Sequence, residues 1–168
     1  MISPPVPPHI RPATAADADA VTTLLVAQLR EHRVDTPKEA LRRTVVRILD
    51  RPRHGRLLVA TDAARVVGVA ACSFAWPFEH AGRSLWLEEL YVVPEWRGRG
   101  VGTALLAAVH RLADEVGAVA IDLEVDVEHE RAAHLYARAG FAPLPRAHWV
   151  RRIAPAPAAI RPLIAEYV

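Results

Sequence analysis

A glycine-rich stretch at residues 90–103, LYVVPEWRGRGVGT, has the residue types of an anion-binding turn between a strand and a helix. Its glycines let the backbone come close to a ligand, and the free N–H groups at a helix N-terminus attract negative charge, which the helix dipole also favours. Thr103 adds a hydroxyl group. The stretch lacks the Gly-Lys-Ser/Thr of a Walker loop and the G-x-G-x-x-G of a dinucleotide site. By itself it is equally consistent with a tight connection that binds nothing.

A second motif, AAHLYARAGF at residues 132–141, follows on a predicted helix. It resembles the A-x-x-L-Y-x-x-x-G-F helix of the GNAT superfamily of N-acetyltransferases. The pattern Arg97-x-x-Gly100-x-Gly102 after a strand resembles the acetyl-CoA signature of the same superfamily. Together with the predicted order of helices and strands, the resemblance covers about residues 10–153. Two motifs in register make it specific, whereas either motif alone is weak.

The resemblance implies a fold and an activity. The fold is a single GNAT-like α/β (α+β) domain, whose central mixed sheet is mostly antiparallel, has splayed strands four and five, and is flanked by helices. The activity is that of an acyltransferase, which uses acetyl-CoA as cosubstrate to acetylate a primary amine, with a small molecule as the favoured acceptor. The amine attacks directly in a ternary complex, so Cys72 is not needed as a nucleophile and no metal is expected.

On this resemblance, strand four and the following turn hold acetyl-CoA. Backbone groups of Leu90, Tyr91 and Val92 are expected to pair with the pantetheine arm. The pyrophosphate is assigned to the turn and the helix start, at Gly98, Arg99, Gly100, Val101, Gly102 and Thr103. Arg97 is expected to stabilise the turn or to face a phosphate, while Arg99 has solvent as its alternative. His129 stands where the family often has an asparagine that meets the CoA arm.

The resemblance also assigns catalytic roles. Tyr136 is expected to be the general acid that protonates the departing thiolate, because a phenol can donate to developing charge; its alternative is a core position. Glu88 matches the acidic residue of polyamine-type acetyltransferases, and Glu124 matches the base of ribosomal-protein N-terminal acetyltransferases. We favour Glu88 as the base, then Glu124. Strand alternation puts Glu88 and Glu89 on opposite faces, so Glu89 is interpreted as a solvated residue.

Acidic residues alternate with apolar ones along a predicted strand at residues 118–127 and just beyond its end, and this row is Asp122, Glu124, Asp126 and Glu128. A solvated strand face is its default interpretation, although the row would border the cleft and attract a cationic amine. The aromatic group Trp76, Phe78, His80 and Trp86 is interpreted as an acceptor wall or as core. His129 and His134 lie near the acids, but their spacing matches no firm metal motif.

These residues need a scaffold, which the hydrophobic pattern predicts in the order β-α-α-β-β-β-α-β-α-β. Capping residues mark helix starts at Thr14 and Thr36, and Gly117 marks a helix end. The predicted strands are 10–11, 57–61, 66–74, 85–93 and 118–127, with a last strand after the final helix. The predicted helices are 14–32, 37–51 and 101–117, with a fourth that ends at Gly140.

Composition excludes several classes of protein. The 168 residues, 52% hydrophobic and 24% charged, suit one globular domain. No apolar run approaches the roughly 20 residues of a membrane-spanning helix, so no membrane partner is expected. The 21 Lys+Arg and 19 Asp+Glu are scattered, which argues against a nucleic-acid partner. The start shows no signal-peptide pattern and a lone cysteine forms no internal disulfide, so we expect a cytoplasmic protein.

Prolines gather at both ends of the chain, which divides it into an extended Pro-rich arm (1–9), the acetyltransferase domain (10–153) and a tail (154–168). The apolar residues of the tail could dock on the domain or on a second subunit, so a homodimer is one option. The alternatives to small-molecule acetylation are acetylation of a protein N-terminus or of aminoacyl-tRNA, and a non-catalytic acyl-CoA sensor. His129 favours the sensor, while Glu88 and Tyr136 oppose it.

Overall fold

Helices and strands form close to where the hydrophobic pattern predicts them. A computed structural model describes residues 8–126 and 129–151. The strands are β1 (His9–Pro12), β2 (Gly55–Asp62), β3 (Arg65–Ala75), β4 (Ser84–Val92) and β5 (Ala120–Leu123). The helices are α1 (Ala18–Glu31), α2 (Lys38–Asp50), α3 (Val101–Glu115) and α4 (Glu130–Arg138). The predicted tail lies outside the described residues, and β1 begins inside the predicted arm.

The five strands form one mixed sheet in the order β1-β2-β3-β4-β5. The first four strands are antiparallel, and β5 runs parallel to β4. The β4–β5 ladder is short, because it pairs only Ser84–Leu87 with Ala120–Leu123. Strands four and five therefore separate after Leu87, and the predicted splayed, mostly antiparallel mixed sheet is confirmed.

Two strand predictions are wrong. β5 ends at Leu123 rather than at residue 127, because the chain leaves β4 there and loses the partner for its ladder hydrogen bonds. No strand follows α4 within the described residues 139–151, where the predicted last strand would lie. The alternation of apolar and acidic residues at 118–127 therefore continues beyond Leu123, the last residue of β5 that pairs with β4.

The core has two parts, one on each face of the sheet. On one face, α3 packs the apolar stripe that includes Val101, Leu105 and Val109 against β3 and β4. On the other face, α1 and α2 cover a second cluster that includes Val21, Val45 and Tyr91. Within the part of the chain that the structure describes, no helix combines the length and apolar character needed to cross a bilayer.

A β-bulge interrupts the middle of β4. Ala71 pairs with Glu89 and Cys72 pairs with Leu87, which leaves Glu88 as the extra residue. Leu85 and Leu87 pack on the α3 face before the bulge, and Leu90 packs on that same face after it. The extra residue thus shifts the alternation by one position, so the prediction that Glu88 and Glu89 lie on opposite faces is wrong.

Candidate active site

The separation of β4 from β5 opens a cleft beside the second half of β4. Among the described residues, β5 pairs with no residue of β4 beyond Leu87. The backbone groups of residues 88–92 that point away from β3 therefore face this cleft. Leu90, Tyr91 and Val92 lie on this stretch, so the structure places the three predicted pantetheine-binding residues at an unpaired strand edge, where an extended ligand can pair.

The glycine turn lies at the end of β4 and leads directly into α3. Gly98 and Gly100 have φ angles of 75° and 80°, a conformation that favours glycine. Gly100 is the N-cap of α3, and no side chain caps that helix. The N–H groups at the start of α3, from Val101 to Thr103, thus remain free of intrahelical partners, as an anion-binding site requires.

Arg97 supports this turn instead of pointing into it. Its guanidinium donates to the carbonyl of Val92 at 2.8 Å and to the carboxylate of Glu31 at 2.8 and 3.0 Å, and it lies over the ring of Tyr91. The Tyr91 hydroxyl also donates to Glu31, at 3.1 Å. Of the two predicted roles for Arg97, the structure favours turn stabilisation, with Glu31 of α1 as a partner that the sequence motif did not indicate.

Two further arginines near the turn, Arg99 and Arg131, differ in their surroundings. Arg99 stacks on the ring of Trp96, at 5.2 Å from the ring centroid. Arg131 of α4 brings its Nη2 to 3.6 Å from where a Cβ on Gly98 would be. Arg131 is thus a cation beside the turn that sequence reasoning missed, because it precedes the tyrosine motif and shows no distinctive spacing.

Tyr136 lies on α4 and packs against the α3-side core cluster. Its ring meets Phe141 edge-on, with centroids 5.8 Å apart. Burial, together with the smaller effect of the negative charge of Glu89, raises the pKa of Tyr136 to about 12. The phenol therefore stays protonated at neutral pH and is available as a hydrogen-bond or proton donor.

Glu89 is an acidic residue whose pKa is strongly raised in the folded protein. The pKa of Glu89 is raised to about 7, because burial and, to a smaller extent, the neighbouring charge of Glu88 outweigh the opposing effect of Gln28. The interpretation of Glu89 as a solvated residue is therefore wrong. The sequence could not indicate this, because the bulge and the contact with Gln28 of α1 arise only in the folded sheet.

The two predicted bases occupy different surroundings. Glu88 is exposed and accepts a hydrogen bond from Ser73 Oγ at 2.5 Å. Glu124 lies beyond the end of β5, and its carboxylate is 2.6 Å from Nδ1 of His148. The charge of Glu88 acts on Glu89 and that of Glu89 acts on Tyr136, while Glu124 pairs with His148 of the segment after α4.

The predicted acidic row is divided among separate contacts. Asp122 accepts a hydrogen bond from Ser84 and lies 3.1 Å from His80 Nε2. Asp126 lies near His32 and His129, and Glu128 is outside the described residues. The row is therefore not a uniform solvated face.

The aromatic group does not form a buried wall. Trp76 is 68% exposed and Phe78 is fully exposed, so neither belongs to the core. Cys72 is buried, and burial raises the pKa of its thiol to about 12, in agreement with its interpretation as a core residue.

A groove of about 360 Å³ runs between α3 and α4, beginning at the predicted phosphate-binding end of α3. It is lined by Thr103, Leu106, Ala107, His110, Leu135, Arg138 and Ala139. The Nε2 atom of His110 is buried and has no hydrogen-bond partner among the described residues. Thr103 lines the groove at the end of α3 that follows the turn, so the groove begins beside the turn.

Comparison with known proteins agrees with this geometry. Residues 20–141 match the acetyltransferase (GNAT) family. The aminoalkylphosphonate N-acetyltransferase of Salmonella typhimurium is 30% identical over 134 residues, which are 79% of this chain and 84% of that protein. The aminoglycoside N(6')-acetyltransferase type 1 of Stenotrophomonas maltophilia is 33% identical over 133 residues, 76% of this chain and 82% of that protein. The uncharacterized N-acetyltransferase MJ1207 of Methanocaldococcus jannaschii is 37% identical over 76 residues, which are 45% of this chain and 34% of that protein.

A solved structure shares the fold. The aminoglycoside N-acetyltransferase AAC(6')-Iy in complex with CoA aligns with a TM-score of 0.76 at 22% identity. The alignment covers 90% of this chain and 99% of that chain.

Proposed function

Because the chain belongs to the acetyltransferase (GNAT) family, and is therefore an acetyl-CoA-dependent N-acetyltransferase, we propose that it acetylates a primary amine of a cationic small molecule by direct attack in a ternary complex. One observation carries the proposal. A carboxyl group with a pKa of about 7, Glu89, acts electrostatically on a phenol with a pKa of about 12, Tyr136, at the open half of β4. Such a pair suits proton transfer in both directions at neutral pH.

The donor side is built mainly from backbone groups. Acetyl-CoA supplies the thioester that is attacked. The unpaired edge at residues 90–92 would hold its pantetheine arm, and the N–H groups of residues 98–103 would hold its pyrophosphate. Arg131 and Thr103 flank that turn and would add a cation and a hydroxyl. Arg99, at the turn, and His129, at the start of α4, remain further proposed contacts with the cosubstrate.

The proposed proton transfers use the two groups with raised pKa values, Glu89 and Tyr136. Above pH 7, ionised Glu89 accepts a proton from the acceptor's ammonium group, directly or through a water molecule. The neutral nitrogen then bonds to the thioester carbonyl carbon, and the C–S bond breaks. Tyr136 gives its proton to the departing sulfur and regains one from the nitrogen as the amide forms. Glu88 and Glu124 are the alternative bases that substitution can distinguish.

Charge near β4 and β5 supports a cationic acceptor. Glu88 and Glu89 both reach the α1 side of the sheet, where Ser73 and Gln28 contact them. On the donor side of this region, Arg97 is already neutralised by Glu31. Carboxylates at this place attract a substrate that carries several ammonium groups, whereas a phosphonate would need a free cation there.

The acceptor class can be tested by a panel of amines. Release of free CoA thiol is measured with the full chain, acetyl-CoA and three groups of amines: aminoglycosides and polyamines, aminoalkylphosphonates, and peptides with a free N-terminus. We expect turnover with the polycationic group, with kcat/KM at least tenfold above that of the other two. Faster turnover of a phosphonate or a peptide would overturn the acceptor class.

A binding measurement separates this class from a sensor. Calorimetry with acetyl-CoA establishes whether the donor site is occupied before any amine is added. Binding of acetyl-CoA without thiol release on any amine would contradict the proposed catalysis and support the acyl-CoA sensor instead. Absence of acetyl-CoA binding would contradict both.

A further inference from the structure

Three residues that take no part in the proposed proton transfers come together where α1, β5 and α4 meet. His32 follows the last residue of α1, Asp126 follows β5, and His129 precedes α4. His32 is 94 positions from Asp126, and Asp126 is 3 positions from His129. The sequence alone therefore places only Asp126 and His129 near each other. Folding brings His32, at the end of α1, to the other two residues.

The geometry of these three side chains is that of a ligand set. One potential ligand atom from each residue lies within 4.8 Å of the other two. The Oδ2 atom of Asp126 is 3.5 Å from Nδ1 of His32 and 3.8 Å from Nδ1 of His129, and the imidazole ring centroids are 4.9 Å apart. Nitrogen and oxygen ligands that bind one tetrahedral ion at about 2.0–2.1 Å lie roughly 3.3 Å from each other. Small side-chain rotations would bring the three atoms to that spacing.

The donor types narrow the class of ion. Two imidazoles with one carboxylate suit zinc, cobalt, nickel or copper, whereas magnesium and calcium prefer sites made of oxygen ligands. The side chains of His32, Asp126 and His129 are 34%, 53% and 46% exposed. This exposure gives an ion in solution access to the three side chains, and it leaves room for water as a further ligand.

We propose that His32, Asp126 and His129 form a binding site for a first-row divalent transition metal, with zinc as the reference ion, that links the end of α1 to the start of α4. Each residue supplies one ligand, and water completes the coordination. Coordination uses one ring nitrogen of His129 and leaves the other ring nitrogen for a contact with the CoA arm. The site does not depend on the proposed acetyl transfer, and its readout is metal binding itself.

The test is a titration of the tag-free full chain after treatment with a chelator and desalting. Zinc binding is measured by competition with a chromophoric chelator, and cobalt(II) is used as a spectroscopic probe of the same site. We expect one equivalent of zinc to bind and the melting temperature to rise with added zinc, because the ion binds the folded chain. His32→Ala and Asp126→Asn should each weaken zinc binding at least tenfold and remove the visible absorption of bound cobalt.

Matched variants separate this site from general binding by exposed histidines. His134→Ala removes an exposed histidine of α4 outside the cluster, and His148→Ala removes the one that pairs with Glu124. Both should bind zinc as the parent does. Circular dichroism and melting temperature in the presence of chelator show whether each variant folds.

Two results would overturn the proposal. One is that the folded parent fails to bind one equivalent of zinc at micromolar concentration. The other is that folded His32→Ala and Asp126→Asn bind zinc as tightly as His134→Ala does. Magnesium or calcium binding with an affinity equal to that of zinc would overturn the assigned class of ion.

Discussion

The glycine turn after β4 and the bulged middle of the same strand are close in the chain, but they use different chemical groups. The turn offers backbone N–H groups, and its shape follows from the positive φ angles of Gly98 and Gly100. The bulge offers carboxyl groups, because the extra residue, Glu88, leaves Glu88 and Glu89 on the α1 side. A backbone site depends on conformation, whereas a side-chain site depends on the identity and environment of each group.

This difference predicts different kinetic effects. Changes in the turn should raise KM for acetyl-CoA and leave kcat largely intact, because the contacts proposed for the turn would hold the ground state and the transition state alike. Changes to the carboxyl and phenol groups should lower kcat and alter its pH dependence. A turn substitution that mainly lowers kcat, or a carboxyl or phenol substitution that mainly raises KM for acetyl-CoA, would contradict this distinction.

The largest effect is expected at Tyr136. Tyr136→Phe removes the hydroxyl group and preserves the ring that packs against Phe141. We expect kcat to fall about 100-fold or more, the range typical of losing a general acid, with KM for acetyl-CoA little changed. Steady-state thiol release with a good acceptor measures both parameters.

Tyr91→Phe is the matched loss of a phenol hydroxyl, and its hydroxyl bonds Glu31 instead of facing Tyr136. Its kcat should fall far less than that of Tyr136→Phe. Equal losses in the two variants would contradict the role of Tyr136 as general acid.

The second effect is expected at Glu89. Since ionised Glu89 is the proposed base and its pKa is about 7, kcat/KM should rise with pH through about 7 in the parent. Glu89→Gln should lower kcat/KM about 100-fold and remove this rise. The pKa of Tyr136, near 12, keeps the phenol protonated, so it adds no falling limb below about pH 10.

Three further variants identify the base. Glu88→Gln and Glu124→Gln test the alternatives, and Glu115→Gln changes an exposed residue at the end of α3. Loss of the rising limb in Glu88→Gln or Glu124→Gln, with the limb retained in Glu89→Gln, would reassign the base.

The glycine turn and α3 could be predicted from the sequence because their determinants are local. Glycine at 98 and 100 is required by backbone conformation at those same positions, and the apolar stripe of α3 repeats at helical spacing. Neither feature depends on a distant contact. The order of helices and strands through α4 follows from the same kind of pattern.

The surroundings of Glu89 were harder to predict because their determinants are not local. The position of Glu89 depends on a register shift against β3, and its pKa depends on burial beside Gln28 of α1. Alternation along a single strand gives no sign of a bulge, which is set by pairing with a partner strand. The end of β5 at Leu123 has the same origin, since it depends on where the chain diverges from β4.

The third effect is expected in the turn. Gly100→Ala places a Cβ at a residue with φ of 80°, a strained conformation for alanine. The turn must shift its N–H groups to relieve this strain, so KM for acetyl-CoA should rise about tenfold while kcat at saturation changes less than about threefold. Calorimetry with acetyl-CoA gives an independent measure of the same loss.

Gly117→Ala is the matched control, because Gly117 also has positive φ, of 65°, but follows the far end of α3. A Cβ at either glycine meets no atom within 4 Å, so strain alone is compared. Both variants should lose about 1 kcal/mol of stability. A rise in KM in Gly117→Ala as large as in Gly100→Ala would show that loss of stability, and not the turn geometry, causes the effect.

The smallest effect concerns the charge of Glu88. That charge helps to raise the pKa of Glu89, so Glu88→Gln should favour the ionised form and move the rising limb of kcat/KM to lower pH. Burial is the larger cause of the raised pKa and is unchanged, so the limb should remain above the usual carboxyl value of 4.5. The pH dependence of kcat/KM, measured in parallel with the parent, reports the displacement.

Glu88→Gln should also change how the free energy of unfolding depends on pH. A carboxyl group whose pKa is raised on folding contributes stability that is present below its unfolded pKa and is lost as pH rises through its folded pKa, here between about 4.5 and 7. Glu88→Gln should therefore reduce the fall in the free energy of unfolding across this window, as urea unfolding at several pH values would show. An unchanged slope together with an unchanged rate profile would mean that the two carboxylates do not interact, and that the bulge brings only Glu89 into the site.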